Sequence, residues 1–264
     1  MKKKISIKNI LIFSRSKEFV LICHKLFKNI IVCSDKLSVV DKKIFKKKKI
    51  KFFLVKNNLE IMRVINKNYN NQLALSYGFG IIFKKKIINN FEKGIWNLHA
   101  SILPNYRGRH PIAHAILNNE KFIGATIHKI DDRIDLGYII SQSKVKRKLR
   151  DDENSIKEKI LNLFEKKLIF EAIDNFDQKK IKKIKNRGKY YPPIKNGLTI
   201  KKTSNHKAKY IFNAIYSQRS FKGLKISNKR YFDAYYVSKN NINKYLKKGF
   251  DIVKSRDNVF LAIK

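Results

Sequence analysis

The sequence predicts an α/β protein: a doubly wound, mostly parallel sheet followed by a small β-rich appendage. Three observations predict it. Short apolar runs alternate with segments of helical period through the first two-thirds of the chain. At 264 residues and 43% hydrophobic content, the chain is long enough for one medium domain and a small second unit. Near the C-terminus the apolar runs become short and strand-like.

Residues 8 to 14, Lys-Asn-Ile-Leu-Ile-Phe-Ser, read as a buried first strand. The basic-then-apolar start superficially resembles a signal peptide, but its apolar stretch is short and lacks a small-residue cleavage site. A helix over residues 18–26 and a second strand over 30–33 follow, then a third strand over 50–55. Residues 59–67 read as helix and 73–77 as a fourth strand. The run Gly94-Ile95-Trp96 leads into a strand end at Asn97 and His99. Pro111 opens a helix over 111–117, a position that suits proline, and residues 124–130 form another strand. Ile156, Ile160, Leu163, Phe164, Leu168 and Ile169 mark a helix over 152–173, with Asp151, Asp152 and Glu153 at its N-terminus. These elements predict a first domain over 1–178, a basic linker over 179–197 and a small unit over 198–264. That last unit should hold a helix near 206–216 and strands near 223–226, 231–237 and 258–263.

Composition bounds the function. The balance of 61 basic against 20 acidic residues gives a net charge of +41, a surface that attracts nucleic acid, anionic lipid or phosphorylated substrates. The lysines are dispersed, however, and Asn and Ile are abundant with them, as in an AT-rich coding sequence, so charge carries little weight as evidence for RNA. Cys23 and Cys33 form no CxxC pair and read as buried free thiols of a reduced cytoplasmic protein. No segment reaches the length of a membrane span. No G-x-G-x-x-G follows the first strand, and the histidines show no metal-ligand spacing.

The chemistry concentrates in residues 97–142. Side chains alternate across a strand, so Asn97 and His99 face one side while Leu98 faces the core. Ser101 and Leu103-Pro104 then break the strand, and Tyr106-Arg107-Gly108 makes a turn with a basic tip. The strand over 124–130 leads to the acidic loop Asp131-Asp132-Arg133-Ile134-Asp135. An amide, an imidazole and a carboxylate thus stand at or just past strand ends, where open α/β sheets place their sites. One strand-end Asn or His alone is more often a turn residue, and Asp135 alone could set the turn before Leu136-Gly137. Together the three outweigh that reading. His114 and His128 read as satisfied polar groups on a helix and a strand, and His110 adjoins the basic turn.

The Asn-x-His pair, the Ser-x-Leu-Pro-x-Tyr-Arg-Gly turn (101–108), the Gly-x-Thr-Ile-His strand (124–128) and the Ile-Asp-x-Gly loop (134–137) together resemble a known signature. It is that of the folate-dependent formyltransferases, the superfamily of the methionyl-tRNA, glycinamide ribonucleotide and sugar N-formyltransferases. The resemblance implies a Rossmann-like formyltransferase fold, no metal, and 10-formyltetrahydrofolate as co-substrate. It carries the catalytic triad over to Asn97, His99 and Asp135. It also implies a pterin pocket lined by Leu75, Tyr77, Gly78, Phe79 and Gly80, with Leu103, Pro104, Ile130 and Asp131. Ser101, Arg107, Gly108 and Arg109 fall where the acceptor would bind.

For the acceptor, the turn Arg107-Gly108-Arg109-His110-Pro111 is more similar to the sugar N-formyltransferases than to the Arg-Gly-Ala-Ala-Pro of the methionyl-tRNA enzymes. The first strand ends in Ser14-Arg15-Ser16 where the latter carry Gly-Thr-Pro-Glu-Phe-Ala, and their C-terminal RNA-binding domain is longer. The positive charge favours initiator tRNA. Leu136 and Tyr138 depart from the family's usual threonine and acidic residue. The expected acceptor is a nucleotide-linked amino sugar, with methionyl-tRNA as the alternative. A non-catalytic basic binding module is a third reading.

Overall fold

A computed structural model describes residue 7 and residues 9–68 and 72–264; Lys8, the first residue of the expected opening strand, lies outside them. The apolar run of β1 (Asn9–Ser14) is buried from Ile10 onward, as befits a strand covered on both faces. Helix α1 (Lys17–Leu26) starts where the Ser16 side chain accepts the Phe19 N–H at 3.2 Å. After β2 (Asn29–Ser34) comes α2 (Val39–Lys47), which the sequence reading did not contain. A capping box between Ser38 and Asp41 fixes its start, and Phe45 is the residue it buries fully. Then follow β3 (Lys51–Leu54), α3 (Asn58–Asn68), β4 (Leu73–Tyr77), the single turn α4 (Lys85–Ile88) and β5 (Ile95–His99).

The next part of the chain alternates between short and long elements. It runs through β6 (Arg107–Gly108), α5 (Pro111–Leu117), β7 (Phe122–Lys129) and β8 (Tyr138–Lys146). The expected helix over 152–173 is α6 (Glu153–Leu163) and α7 (Ile169–Asp177), joined without a break by a π turn over Phe164–Leu168. The stretch read as a linker is structured. It carries β9 (Lys182–Lys183), which pairs antiparallel with Tyr138 and Ile139, and β10 (Tyr190–Tyr191), which pairs with β6.

The chain divides into two compact units that interleave in sequence. The first comprises Met1–Pro104, Ala125–Ser143 and Leu161–Gly188, and the second Asn105–Gly124, Lys144–Ile160 and Lys189–Lys264. This is not the contiguous division drawn from the sequence. The difference arises because α5 packs against α8 (Ala208–Gln218), a partner from the far end of the chain.

The main sheet has the order β3-β2-β1-β4-β5-β7-β8-β9. Neighbouring strands from β3 to β5 are parallel, with Ile12 of β1 beside Val32 on one side and Leu75 on the other. The chain winds one way from β1 to β3 and the other way from β4 onward, so the order reverses between β1 and β4. β7 then runs antiparallel to β5. On one face lie Leu11, Phe13, Ile61, Ile65, Ala74, Phe91 and Ile95 in a shared core.

In the second unit α8 buries Ile211, Phe212, Ala214, Ile215 and Tyr216. Two three-stranded sheets accompany it: β11 (Thr199–Ile200), β12 (Leu224–Ile226) and β13 (Lys229–Tyr231), and β14 (Ala234–Val237) and β15 (Asp251–Lys254) on either side of β16 (Phe260–Ile263). The appendage is β-rich, as expected, but organised on a helix. No helix among the described residues is long and apolar enough to cross a membrane.

Candidate active site

The antiparallel pairing of β5 with β7 sets the site. It places Asn97 opposite His128 and His99 opposite Thr126. Residues directly opposite in such a ladder share a face, so these four side chains lie on one side of the sheet. The Asn97 amide nitrogen lies 3.1 Å from His128 Nε2. Asp135 arrives from the loop after β7. Its Oδ1 stands 3.7 Å from His99 Nδ1 and 3.6 Å from His128 Nε2, within ion-pair range but beyond hydrogen-bond contact. The two imidazoles meet edge to face, 6.4 Å between centres. His99 and His128 are buried, and the Asp135 side chain is 13% exposed, so one carboxylate faces two imidazoles with little water between. The structure thus brings the expected Asn97, His99 and Asp135 together and adds His128. Read from sequence as a satisfied strand residue, His128 instead has a buried Nδ1 without a hydrogen-bond partner among the described residues.

The loop that delivers Asp135 is held tightly. Asp135 adopts a left-handed conformation, φ 53°, which Asp tolerates better than most residues. Asp131 accepts the Arg133 N–H at 2.9 Å and closes the turn before it. Leu136, the departure from the family's threonine, is buried against Leu103, Ile139 and Ile184. Gly137 has no room for a side chain, because a Cβ there would strike the Lys129 carbonyl. Apolar packing thus replaces a polar side chain without moving Asp135 out of reach.

Thr126 fastens the segment after β5. Its hydroxyl donates to the Ser101 carbonyl at 2.7 Å and accepts the Leu103 N–H at 3.2 Å. Gln142 donates to the Leu103 carbonyl at 3.0 Å and to the Thr126 hydroxyl at 2.8 Å. Ser101 and Leu103 are both buried in this brace, and the Leu103–Pro104 bond is cis. Gln142 has no signature in the sequence; it lies on β8, a strand the sequence reading lacked.

The loop after β4 emerges beside the triad, because β4 and β5 are parallel and Ser76 pairs with Asn97. Its residues do not all face outward. Leu75 is enclosed in the sheet, and the Phe79 ring packs against Phe13 and Phe83, with centres 5.3 Å and 5.4 Å away. Ile130 packs on the same core. These three side chains support the loop from the core side, so what they would offer a donor is backbone. Tyr77 is buried as well, leaving Gly78 as the exposed residue of the loop. It has φ 61°, with nothing within 4 Å of where a Cβ would sit.

In the second unit the basic turn is one strand of a two-residue ladder. Arg107 pairs with Tyr190, and Gly108 with Tyr191. Gly108, at φ 98°, lies so close to the Tyr191 carbonyl and the Tyr190 ring that a Cβ would collide with both. Tyr106 stacks on Tyr191 at 4.8 Å and donates to Glu120 at 2.7 Å. His110 Nδ1 accepts the Ile194 N–H at 3.1 Å, and His114 Nε2 donates to the Pro192 carbonyl at 3.0 Å. Burial pushes the pKa of both histidines below the ordinary value. No group of His, Cys, Asp and Glu suited to hold a metal occurs among the described residues.

The family model for formyl transferase matches residues 23–173, which run from within α1 to within α7 and include Asn97, His99 and Asp135. The chain belongs to the formyl transferase family. Its match in this family reaches well upstream of the 97–142 signature. The methionyl-tRNA formyltransferase of Thermodesulfovibrio yellowstonii is 34% identical over 151 residues, 56% of this chain and 48% of that protein. That of Caldicellulosiruptor saccharolyticus is 31% identical over 53% of this chain and 45% of its own length. The chain spans about half the length of the curated relatives it matches. Solved structures of this fold match over a longer stretch. WlaRD, a sugar 3N-formyl transferase in the presence of dTDP and 5-N-formyl-THF, superposes with a TM-score of 0.67 at 21% identity, covering 98% of both chains. The N-formyltransferase of Helicobacter canadensis, in complex with folinic acid and dTDP-3-aminofucose, gives 0.67 at 17% identity over 98% of this chain and 99% of that chain.

Proposed function

We propose that this chain moves a formyl group from 10-formyltetrahydrofolate to the primary amine of a nucleotide-linked amino sugar. The observation that carries the transfer is the convergence of Asn97, His99 and Asp135 at the ends of β5 and β7. The amine attacks the formyl carbon, a C–N bond forms and the carbonyl oxygen becomes an oxyanion. Asn97 spends one amide hydrogen on His128 and directs the other at that oxyanion, a contact worth about 3 kcal/mol in a positioned site. His99 takes the proton the attacking nitrogen must lose, and Asp135 stabilises the imidazolium so formed. The bond from the formyl carbon to folate N10 then breaks, N10 receives the proton, and the products are a formamide and tetrahydrofolate. Gly78, exposed and with nothing within 4 Å of where a Cβ would sit, offers the donor open backbone. The unpaired, buried Cys23 and Cys33 support a reducing, cytoplasmic setting; burial pushes the Cys33 thiol up to about 12.

For the acceptor, the Arg107-Gly108-Arg109 turn supplies two guanidinium groups to a diphosphate. The match to WlaRD along the whole chain, second unit included, supports this choice. The sequence relatives and the net charge of +41 favour methionyl-tRNA as a second reading. Formylation assays with 10-formyltetrahydrofolate, dTDP-linked amino sugars and charged initiator tRNA separate the two. The expected result is transfer to the sugar with a shallow salt dependence. Efficient formylation of tRNA would replace the sugar reading, the more so if affinity fell roughly a thousandfold between about 50 and 200 mM salt, as for six or more phosphate contacts.

A further inference from the structure

Three chain segments meet where the strand order reverses. Arg15 follows β1, Asp35 follows β2, and Gly78-Phe79-Gly80 follow β4. Arg15 Nε donates to Asp35 Oδ1 at 2.8 Å, and its second nitrogen donates to Oδ2, so the pair is bidentate. The Gly80 N–H donates to the same Oδ1 at 3.4 Å. At the other end of the loop, the Ser14 hydroxyl donates to the Tyr77 carbonyl at 2.6 Å and accepts the Ser16 N–H at 3.0 Å. The loop is therefore tied at Tyr77 from β1 and at Gly80 from β2, with Gly78 standing open between the ties. Gly80 itself leaves no space: a Cβ there would run into the Arg15 guanidinium and the Asp35 carboxylate.

We propose that Arg15 and Asp35 form a positioning clasp that sets the Tyr77–Gly80 backbone for the folate donor. The inference rests on reading that loop as the donor's platform. Asp35, 10% exposed, is the inner member, and Arg15, 44% exposed, closes over it. Burial alone would raise the Asp35 pKa, but the hydrogen bonds from Arg15 and Gly80 outweigh it and hold the carboxyl below its usual range. The hydrogen bond to Asp35 raises Arg15 in turn. Both groups stay charged through neutral pH, and the loop keeps one setting there.

The test uses the full chain with Arg15→Ala, Asp35→Asn, the double change and Gly80→Ala, each titrated with folinic acid and with dTDP by calorimetry. Each change should weaken folinic acid binding about tenfold while dTDP affinity moves less than about twofold, and the double change should cost no more than either single one. Arg15→Lys keeps the charge and loses the fork, so it should also weaken folate; it serves if Arg15→Ala does not fold. Melting temperature should change little, as for a pair at the rim of a fold. Loss of folate affinity in Arg15→Ala but not in Asp35→Asn would make Arg15 a direct ligand contact and overturn the clasp. Multiplicative losses in the double variant would overturn it too. Gly78→Val separates the two levels. If it weakens folate while the clasp variants do not, the platform reading stands and the clasp fails. If it leaves folate untouched, the platform reading fails and the clasp with it.

Discussion

The molecule holds two pairs of close histidines that differ in what they face. In the first unit, His99 and His128 flank the carboxylate of Asp135. In the second, His110 and His114 hold backbone: one accepts the Ile194 N–H, the other donates to the Pro192 carbonyl. Each member of the second pair has its hydrogen bond made, and burial keeps both neutral. The first pair is more deeply buried, yet His128 keeps an orphan nitrogen and shares one carboxylate with His99. Partners, not burial, separate the two. One pair faces a carboxylate, and the other faces backbone.

The largest expected effect lies in the first pair. His99→Ala and Asp135→Asn should each lower kcat by about a hundredfold to ten-thousandfold, with circular dichroism unchanged. Groups acting as one unit lose most of their effect together, so the double variant should be little worse than either single variant. Fully multiplicative losses would show that the carboxylate and the imidazole work separately.

His128→Ala comes next. It removes the partner of the Asn97 amide, and a lost buried hydrogen bond is worth about tenfold to a hundredfold in rate if the geometry of Asn97 matters to the oxyanion. A wild-type rate would return His128 to the bracing class. His114→Ala should leave kcat within about twofold and instead lower the melting temperature, since its loss unpairs the Pro192 carbonyl.

The smallest effect is a slope. His110 and His114 have folded pKa values below the ordinary 6.5, so their contribution to stability is complete above that value. As pH falls through it, the unfolded chain takes up protons that the folded chain refuses, and stability declines until the folded values are reached. Melting temperature followed from about pH 7 to about pH 5 should fall less steeply in a His110→Gln, His114→Gln double variant than in the wild type. Equal slopes would mean that other groups carry the acid sensitivity.

Much of the first unit was legible in the sequence because its signal is strong. β1 to β4, α1 and α3 stand within a few residues of their expected bounds, since parallel strands covered on both faces are nearly pure apolar runs. Helix α2 was not legible: it is lysine-rich and buries Phe45 alone. Strand β8 was missed because only its first half is well covered, leaving no clean alternation to read. Asn97, His99 and Asp135 stood out through motif spacing. His128 did not, because its place depends on β7 running antiparallel to β5, and single-strand patterns carry no direction. Tyr190 and Tyr191 looked like linker because their partners Arg107 and Gly108 are far away in sequence.

The interleaving of the two units bears on how the molecule comes to exist. The chain passes between them five times, after residues 104, 124, 143, 160 and 188. A growing polypeptide completes the main sheet once β9 has emerged. Helix α5 has then been made, but it waits for α8, which belongs to the final segment from Lys189 to Lys264. Until that segment arrives, α5, which buries Ile112 and Ile116 in the folded chain, lacks the helix it packs against. The segment Lys189–Lys264 is thus no unit by itself, since it shares one with Asn105–Gly124 and Lys144–Ile160. It completes a unit whose first segment, Asn105–Gly124, is synthesised before Asp135.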